Sequence, residues 1–393
     1  MTFLYITADQ IGKANHGAGS VTANESEALL SLGEGTYWGR NQFGGEGGEP
    51  WRWDNEAVDK VKDYRQDFGK IQIVHFYAGT FSRTVAELKR QGCKITYTAA
   101  AHSIDESRKE HEKLGLPFPY PHLTEPDLWK RYVQGYLDAD VLICPSKHSA
   151  DVMLSYGATN RIEVIPHGVE MPKCKECSGA ITSVDDEGYE VDRCTRCCML
   201  PGIEPIAPLP QQFTVGYLGA IGADKGLIYL LEAWKRLNYR DAVLKIGGGN
   251  SHSPWMKHLV EAHGGGNIQL LGWVDDPWQF YSLLSLYVQP SVSEGFGCEV
   301  LEAMSAGRPV ICSEGAGASD CVPEHWRFKA RDVDDLVECI RYMRTCSESK
   351  QQYFGSACNG LLPMDSEWIR GEALKYEWDK IRARYVEVWK SIL

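Results

Sequence analysis

At 393 residues the chain exceeds what a single hydrophobic core usually organises, so two domains of ordinary size are expected. Hydrophobic residues at 43% and charged ones at 24% exclude a disordered chain, and no apolar run reaches the ~18 residues of a membrane span. The net charge of −12 counts against a general nucleic-acid binder, which needs a basic footprint, and thirteen cysteines, most of them scattered singly, point to a reducing, cytoplasmic setting.

The chain opens on an apolar run, residues 3–7, too short and too poor in basic residues for a signal peptide, so it reads as a first strand. A glycine-rich stretch follows, His16-Gly17-Ala18-Gly19-Ser20-Val21-Thr22-Ala23-Asn24-Glu25. It predicts a loop entering a helix, with Thr22 and Glu25 as a capping box. Residues 33–54 are rich in glycine and carry Trp38, Trp51, Trp53, Arg40 and Arg52. They read either as a mobile lid or as a surface loop. Strand-like runs recur at 71–76, 94–99, 139–144 and 163–166, with helical patterns between them, which predicts a parallel α/β sheet over 1–170.

Residues 171–202 break this rhythm. Cys174-Lys-Glu-Cys177 and Cys194-Thr-Arg-Cys197 are separated by sixteen residues, the spacing of a zinc ribbon. Four thiolates would close a tetrahedral structural zinc site, with a small hairpin formed by 181–184 and 188–191 between the knuckles. Cys198 is a spare that could compete with Cys197. A proline-rich linker (Pro201, Pro205, Pro208, Pro210) leads to a second α/β unit, 203–370. In its first helix Leu227, Leu230, Leu231, Trp234 and Leu237 share one face.

The densest chemistry lies in Ser293-Glu-Gly-Phe-Gly-Cys-Glu-Val-Leu-Glu302-Ala-Met, between strand-like runs at 286–290 and 309–312. A Gly-Phe-Gly loop opening a helix near Cys298 presents backbone N–H groups to an anion. Glu294 and Glu302 flank that anion site and can accept hydrogen bonds from sugar hydroxyls. A diphosphate with a polyol on each side satisfies both demands, which describes a nucleotide-sugar. A glycosidase acid–base pair is the other use of two carboxylates, but it leaves the anion loop and Lys225 without a purpose.

The Glu294-x7-Glu302 motif resembles that of the group 1 retaining glycosyltransferases of the GT-B fold. The resemblance extends through Val215-Gly-Tyr-Leu-Gly-Ala-Ile-Gly-Ala-Asp-Lys225-Gly226, Lys245-Ile-Gly-Gly-Gly249 and Leu270-Leu-Gly-Trp-Val274, covering residues 213–325 or so. It implies two Rossmann-like domains facing a cleft, with residues 371–393 crossing back onto the first. It implies transfer of a sugar from a UDP- or GDP-linked donor to a hydroxyl acceptor, with no catalytic metal and with His102, Lys225 and Glu294 as catalytic residues. Donor contacts would come from Gly17, Gly19, Gly222, Lys225, Trp273, Val274, Glu294, Gly295, Phe296, Gly297 and Glu302, with Glu302 on the ribose and Trp273-Val274 at the base. His167 reads as structural. Ala220 stands where most relatives carry a second cation, and Glu299 where many carry a small or apolar residue. Two further readings follow: an acceptor that is a modified DNA base, suggested by the ribbon and its Lys173, Lys175, Arg193 and Arg196, and a non-catalytic sugar-nucleotide binder, suggested by Ala220.

Overall fold

A computed structural model describes residues 2–7, 17–39, 54–61, 70–77, 81–171, 181–184, 190–193, 206–265, 267–348 and 365–393. The first domain is a six-stranded parallel sheet of β1 (Thr2–Thr7), β2 (Glu34–Trp38), β3 (Ile71–Tyr77), β4 (Lys94–Thr98), β5 (Val141–Cys144) and β6 (Arg161–Val164), in the order β2-β1-β3-β4-β5-β6. These strands are nearly continuous apolar runs because a parallel sheet is covered on both faces. The two edges are the exceptions: β2 (Glu-Gly-Thr-Tyr-Trp) is mostly exposed and β6 (Arg-Ile-Glu-Val) is nowhere fully buried, as an edge allows. The glycine-rich stretch 33–54 therefore contributes a sheet edge, and Trp38 is buried in the core rather than free to stack on a ligand. Arg40, Trp51, Arg52 and Trp53 lie outside the described residues. β6 starts two residues before the expected 163–166 and ends at Val164; Pro166, with no N–H, cannot extend the ladder.

A two-stranded antiparallel hairpin of β7 (Ile181–Val184) and β8 (Glu190–Arg193) pairs Ile181 with Arg193 and Val184 with Glu190. Cys174, Cys177, Cys194 and Cys197 lie outside the described residues. The second domain is again a six-stranded parallel sheet: β9 (Thr214–Leu218), β10 (Val243–Gly247), β11 (Ile268–Gly272), β12 (Leu286–Gln289), β13 (Val310–Ser313) and β14 (Arg327–Phe328), in the order β11-β10-β9-β12-β13-β14. Strand order reverses between β9 and β12, and in doubly wound sheets ligands bind outside the carboxyl ends at such a point. The helix Leu227–Leu237 buries its apolar face against this sheet.

The chain then returns to the first domain. The helix Trp378–Lys390 buries Trp378, Ile381, Tyr385 and Trp389 with Phe3, Tyr5, Val21 and Ile73. Its Tyr385 hydroxyl donates to Glu25 at 2.7 Å, and Trp389 Nε1 donates to Thr96 Oγ1 at 3.0 Å. Glu25 is fully buried and also accepts from Tyr5 and Thr98, at 2.8 and 2.9 Å. This corrects the capping-box expectation. The helix Gly17–Leu30 begins upstream of Thr22, and Thr22 and Glu25 both face the core, where three hydroxyl donors satisfy the carboxylate better than one amide would. Among the described residues no helix is long and apolar enough to cross a membrane.

Candidate active site between the two sheets

The loop after β9 ends in a short 3-10 turn, Ala223–Lys225. Gly226 follows at φ +67°, where a Cβ would fall 2.0 Å from the carbonyl oxygen of Pro290. Only glycine lets this loop press against the one leaving β12. Val292 N–H donates to Asp224 O at 2.8 Å across the same seam. The close approach brings Lys225 Nζ onto the Glu294 carboxylate in a tight ion pair. Glu294 is itself held by its backbone, which bonds Gly315 O at 2.9 Å and Gly317 N at 3.0 Å.

Gly297 precedes the helix Cys298–Ser305 at φ +96° and supplies no side-chain cap. In its first turn Val300 N–H donates to Gly297 O at 3.2 Å, while the amides of Cys298 and Glu299 precede any intrahelical acceptor. One turn in, Glu302 accepts from the Tyr281 hydroxyl at 2.7 Å. Phe296 is buried, edge-on to His167 with ring centroids 5.2 Å apart, so its ring belongs to the core, and its carbonyl accepts from Ala318 N–H at 2.7 Å. Gly222 precedes the Lys225 turn. Val274 lies over Gly247 and Trp273, 52% exposed, beside Gly249, on the rim just past the end of β11. Gly17 and Gly19 fall in the first turn of the helix Gly17–Leu30, which starts the first domain's own switch-point crossover; nothing described joins them to the Lys225 seam.

The first domain closes the other side. Ser103 N–H donates to Ser293 Oγ at 2.8 Å, Ser146 Oγ to Gly295 O at 2.8 Å, and Lys147 N–H to Asp320 Oδ2 at 3.0 Å. A Cβ on Gly295 would sit 2.4 Å from Ala100 O, so the Gly-Phe-Gly loop also serves domain contact. These bonds carry His102 to the seam, where its Nε2 is buried with no hydrogen-bond partner among the described residues. Further out, Arg331 bonds Glu110 and Glu106, each at 2.6 Å. Sequence periodicity gave no sign of this latch, because its members lie more than 200 positions apart.

The charges respond to this crowding. Burial lowers the His102 imidazole below its ordinary value, with Asp224 and Glu294 opposing, so its buried ring nitrogen is neutral. Burial would raise Glu294, but Lys225 outweighs it and holds the carboxyl below the usual range. Burial would lower Lys225, and Glu294 with Asp224 reverses that. Burial raises Glu302 and lifts Glu299 to about 7, with Glu302 and Glu294 adding to the effect. The site thus combines an ammonium, a helix N-terminus with no side-chain cap, ionised Glu294 and a neutral imidazole.

Residues 212–345 match the family model of glycosyl transferases group 1, and residues 36–171 that of glycosyltransferase family 4. The sulfoquinovosyl transferase of Arabidopsis thaliana is 29% identical over 176 residues, 43% of this chain and 31% of that relative. The chain thus spans about a third of that protein's length. Sucrose-phosphate synthase from Thermosynechococcus elongatus shares the fold at a TM-score of 0.69 and 15% identity, covering 100% of this chain and 98% of that one. Anabaena HepE, solved in complex with UDP and glucose, superposes at 0.62 and 16% identity over 100% of both chains. Each family model thus covers one part of the chain, and the likeness to the solved structures shows a shared fold from end to end, two parallel α/β sheets of the GT-B type.

Proposed function

We propose that the protein transfers a sugar from a nucleotide-sugar, UDP- or GDP-linked, to a hydroxyl acceptor with retention at the anomeric carbon. The observation that carries this reading is the Lys225–Glu294 pair, set at the switch point of the second sheet and faced by His102 from the first domain. In this structure the two side chains satisfy each other. A donor would part them, giving phosphate oxygens to Lys225 and sugar hydroxyls to Glu294. Lys225 and the amides of the helix Cys298–Ser305 would then stabilise charge growing on the leaving diphosphate, the helix terminus acting as roughly half a positive charge. Glu302, steadied by Tyr281, would take the ribose hydroxyls.

The new C–O bond would form on the face from which the phosphate leaves, and the acceptor's proton would pass to the departing phosphate oxygen. No covalent intermediate on the protein is needed, and Glu294, engaged by the sugar hydroxyls, would not act as a nucleophile. Neutral His102 Nε2 would pair with a sugar hydroxyl near the reacting carbon. The complex of HepE with UDP and glucose supports a nucleotide-sugar as the class of donor.

The cysteine pairs are assigned a structural zinc that takes no part in transfer. The hairpin register supports this: Ile181 pairs with Arg193, so the strand end adjoining Cys194 lies across from the strand that follows Cys177. The catalytic reading is tested with Lys225→Ala, expected to cut the rate by about 10²–10³, as loss of a single transition-state donor does. Turnover within twofold of the parent would reject the mechanism.

A further inference from the structure

Glu299 is the carboxylate of the site to which the motif gives no role. It stands in the first turn of the helix Cys298–Ser305. Its Oε1 lies 3.3 Å from the point where a side chain on Gly219 would begin, and the Tyr217 hydroxyl lies 3.1 Å from the same point. That hydroxyl donates to Ala220 O at 2.7 Å. The carboxyl therefore fills the inner side of the turn 219–222, and Ala220 sets no cation against it. Among the described side chains acting on it, Glu302 and Glu294 are acidic and Lys225 alone is basic. Lys225 is already engaged by Glu294. A bound diphosphate would bring still more negative charge to the same turn, which an ionised Glu299 would repel.

We propose, building on the donor-site reading above, that Glu299 works as a neutral carboxyl. Its O–H donates to a phosphate oxygen of the bound nucleotide-sugar at the turn 219–222, and its ionisation weakens donor binding, so that pH sets donor affinity. The one neighbouring carboxyl also raised by burial is Glu302, and Glu299→Gln separates the two titrations. Tyr217 on β9, Tyr287 on β12, Tyr281 on the helix Pro277–Ser282 and Cys298 beside it are all raised by burial. They stay neutral through the neutral range. Glu294 is held ionised and Lys225 charged, and burial keeps His102 neutral. Glu302, raised by burial, is bonded to Tyr281. Glu299 itself is lifted to about 7.

The sign follows from linkage. Below about 7 the carboxyl is already protonated and affinity is level; above it, binding must take up a proton, and affinity falls by up to about tenfold per pH unit. Calorimetric titration with UDP-glucose, or with GDP-mannose if that does not bind, between about pH 6 and about pH 9 tests it. The parent should show the fall. Glu299→Gln, a neutral donor of the same shape, should keep the low-pH affinity throughout. Glu299→Ala should bind about tenfold more weakly at low pH and without the slope. An affinity indifferent to pH in the parent, or a slope that persists in Glu299→Gln, would overturn the inference while leaving the donor site intact. Binding of neither nucleotide-sugar at any pH would overturn the donor-site reading and this inference together. Should the variants fold poorly, proton uptake by the parent at about pH 8 decides: about one proton is expected, and none overturns.

Discussion

At the scale of single residues, burial decides which groups keep their charge. His167 is 2% exposed and packed against Phe296, and burial pushes its imidazole down to about 4. Unfolding exposes it at the ordinary value near 6.5. Its contribution is therefore complete above about 6.5 and is lost as pH falls toward 4, amounting to up to about 3 kcal/mol. Chemical denaturation at a series of pH values should show this limb, and His167→Gln should flatten it; an unchanged limb would refute the account. Glu302 makes a second test. Removing its partner's hydroxyl in Tyr281→Phe leaves a buried carboxyl short of one donor. Donor KM should rise several-fold with kcat nearly unchanged, because the ribose contact is equal in ground and transition states.

At the scale of elements, the helix Ile104–Lys113 is the lever that carries His102. Its far end is tied to the second domain by Arg331, which bonds Glu106 and Glu110 and adopts φ +70°, a conformation costing about 1–3 kcal/mol in a non-glycine residue. Lys113 adds a bond to Tyr229 at 2.9 Å. Arg331→Ala should loosen domain closure, lowering kcat/KM by about ten- to a hundredfold and enlarging the radius of gyration of the unliganded protein in small-angle scattering. Arg331→Lys should restore only part, since an ammonium cannot bridge two carboxylates as the guanidinium fork does. Unchanged scattering and kinetics would show that the latch does not set closure. The buried strands and the helix Leu227–Leu237 were legible in the sequence because apolar runs and a 3.6-residue period leave little alternative. β2 was not, since Glu-Gly-Thr-Tyr-Trp carries no strand pattern without its neighbour β1. Thr22 and Glu25 misled because local spacing mimics a cap, whereas Thr22 is buried and contacts from Tyr5, Thr98 and Tyr385 hold Glu25 in the core.

At the scale of the whole molecule, two sheets present their carboxyl ends to one seam, and the C-terminal segment binds them. Trp389→Ala should destabilise the first domain by about 3–5 kcal/mol, read as an earlier denaturation transition. The proposed zinc site leads to a different expectation: chelation should lower stability yet leave transfer intact in protein that stays folded, and lost transfer in folded chelated protein would contradict a structural metal. The site was half legible. Lys225, Glu294 and Glu302 announce themselves by spacing, whereas Arg331, Ser103 and Tyr281 matter only through the pairing of distant segments. The central claim is that Lys225 and the helix Cys298–Ser305 hold the diphosphate of a nucleotide-sugar. Thermal denaturation of the parent and of Lys225→Ala with UDP-, GDP-, ADP- and dTDP-sugars tests it most directly, because a ligand of the folded state alone must raise the melting point. Stabilisation of the parent by the sugars of one base, largely lost in Lys225→Ala, is the predicted result; no stabilisation by any of them, or equal stabilisation of both proteins, would contradict it.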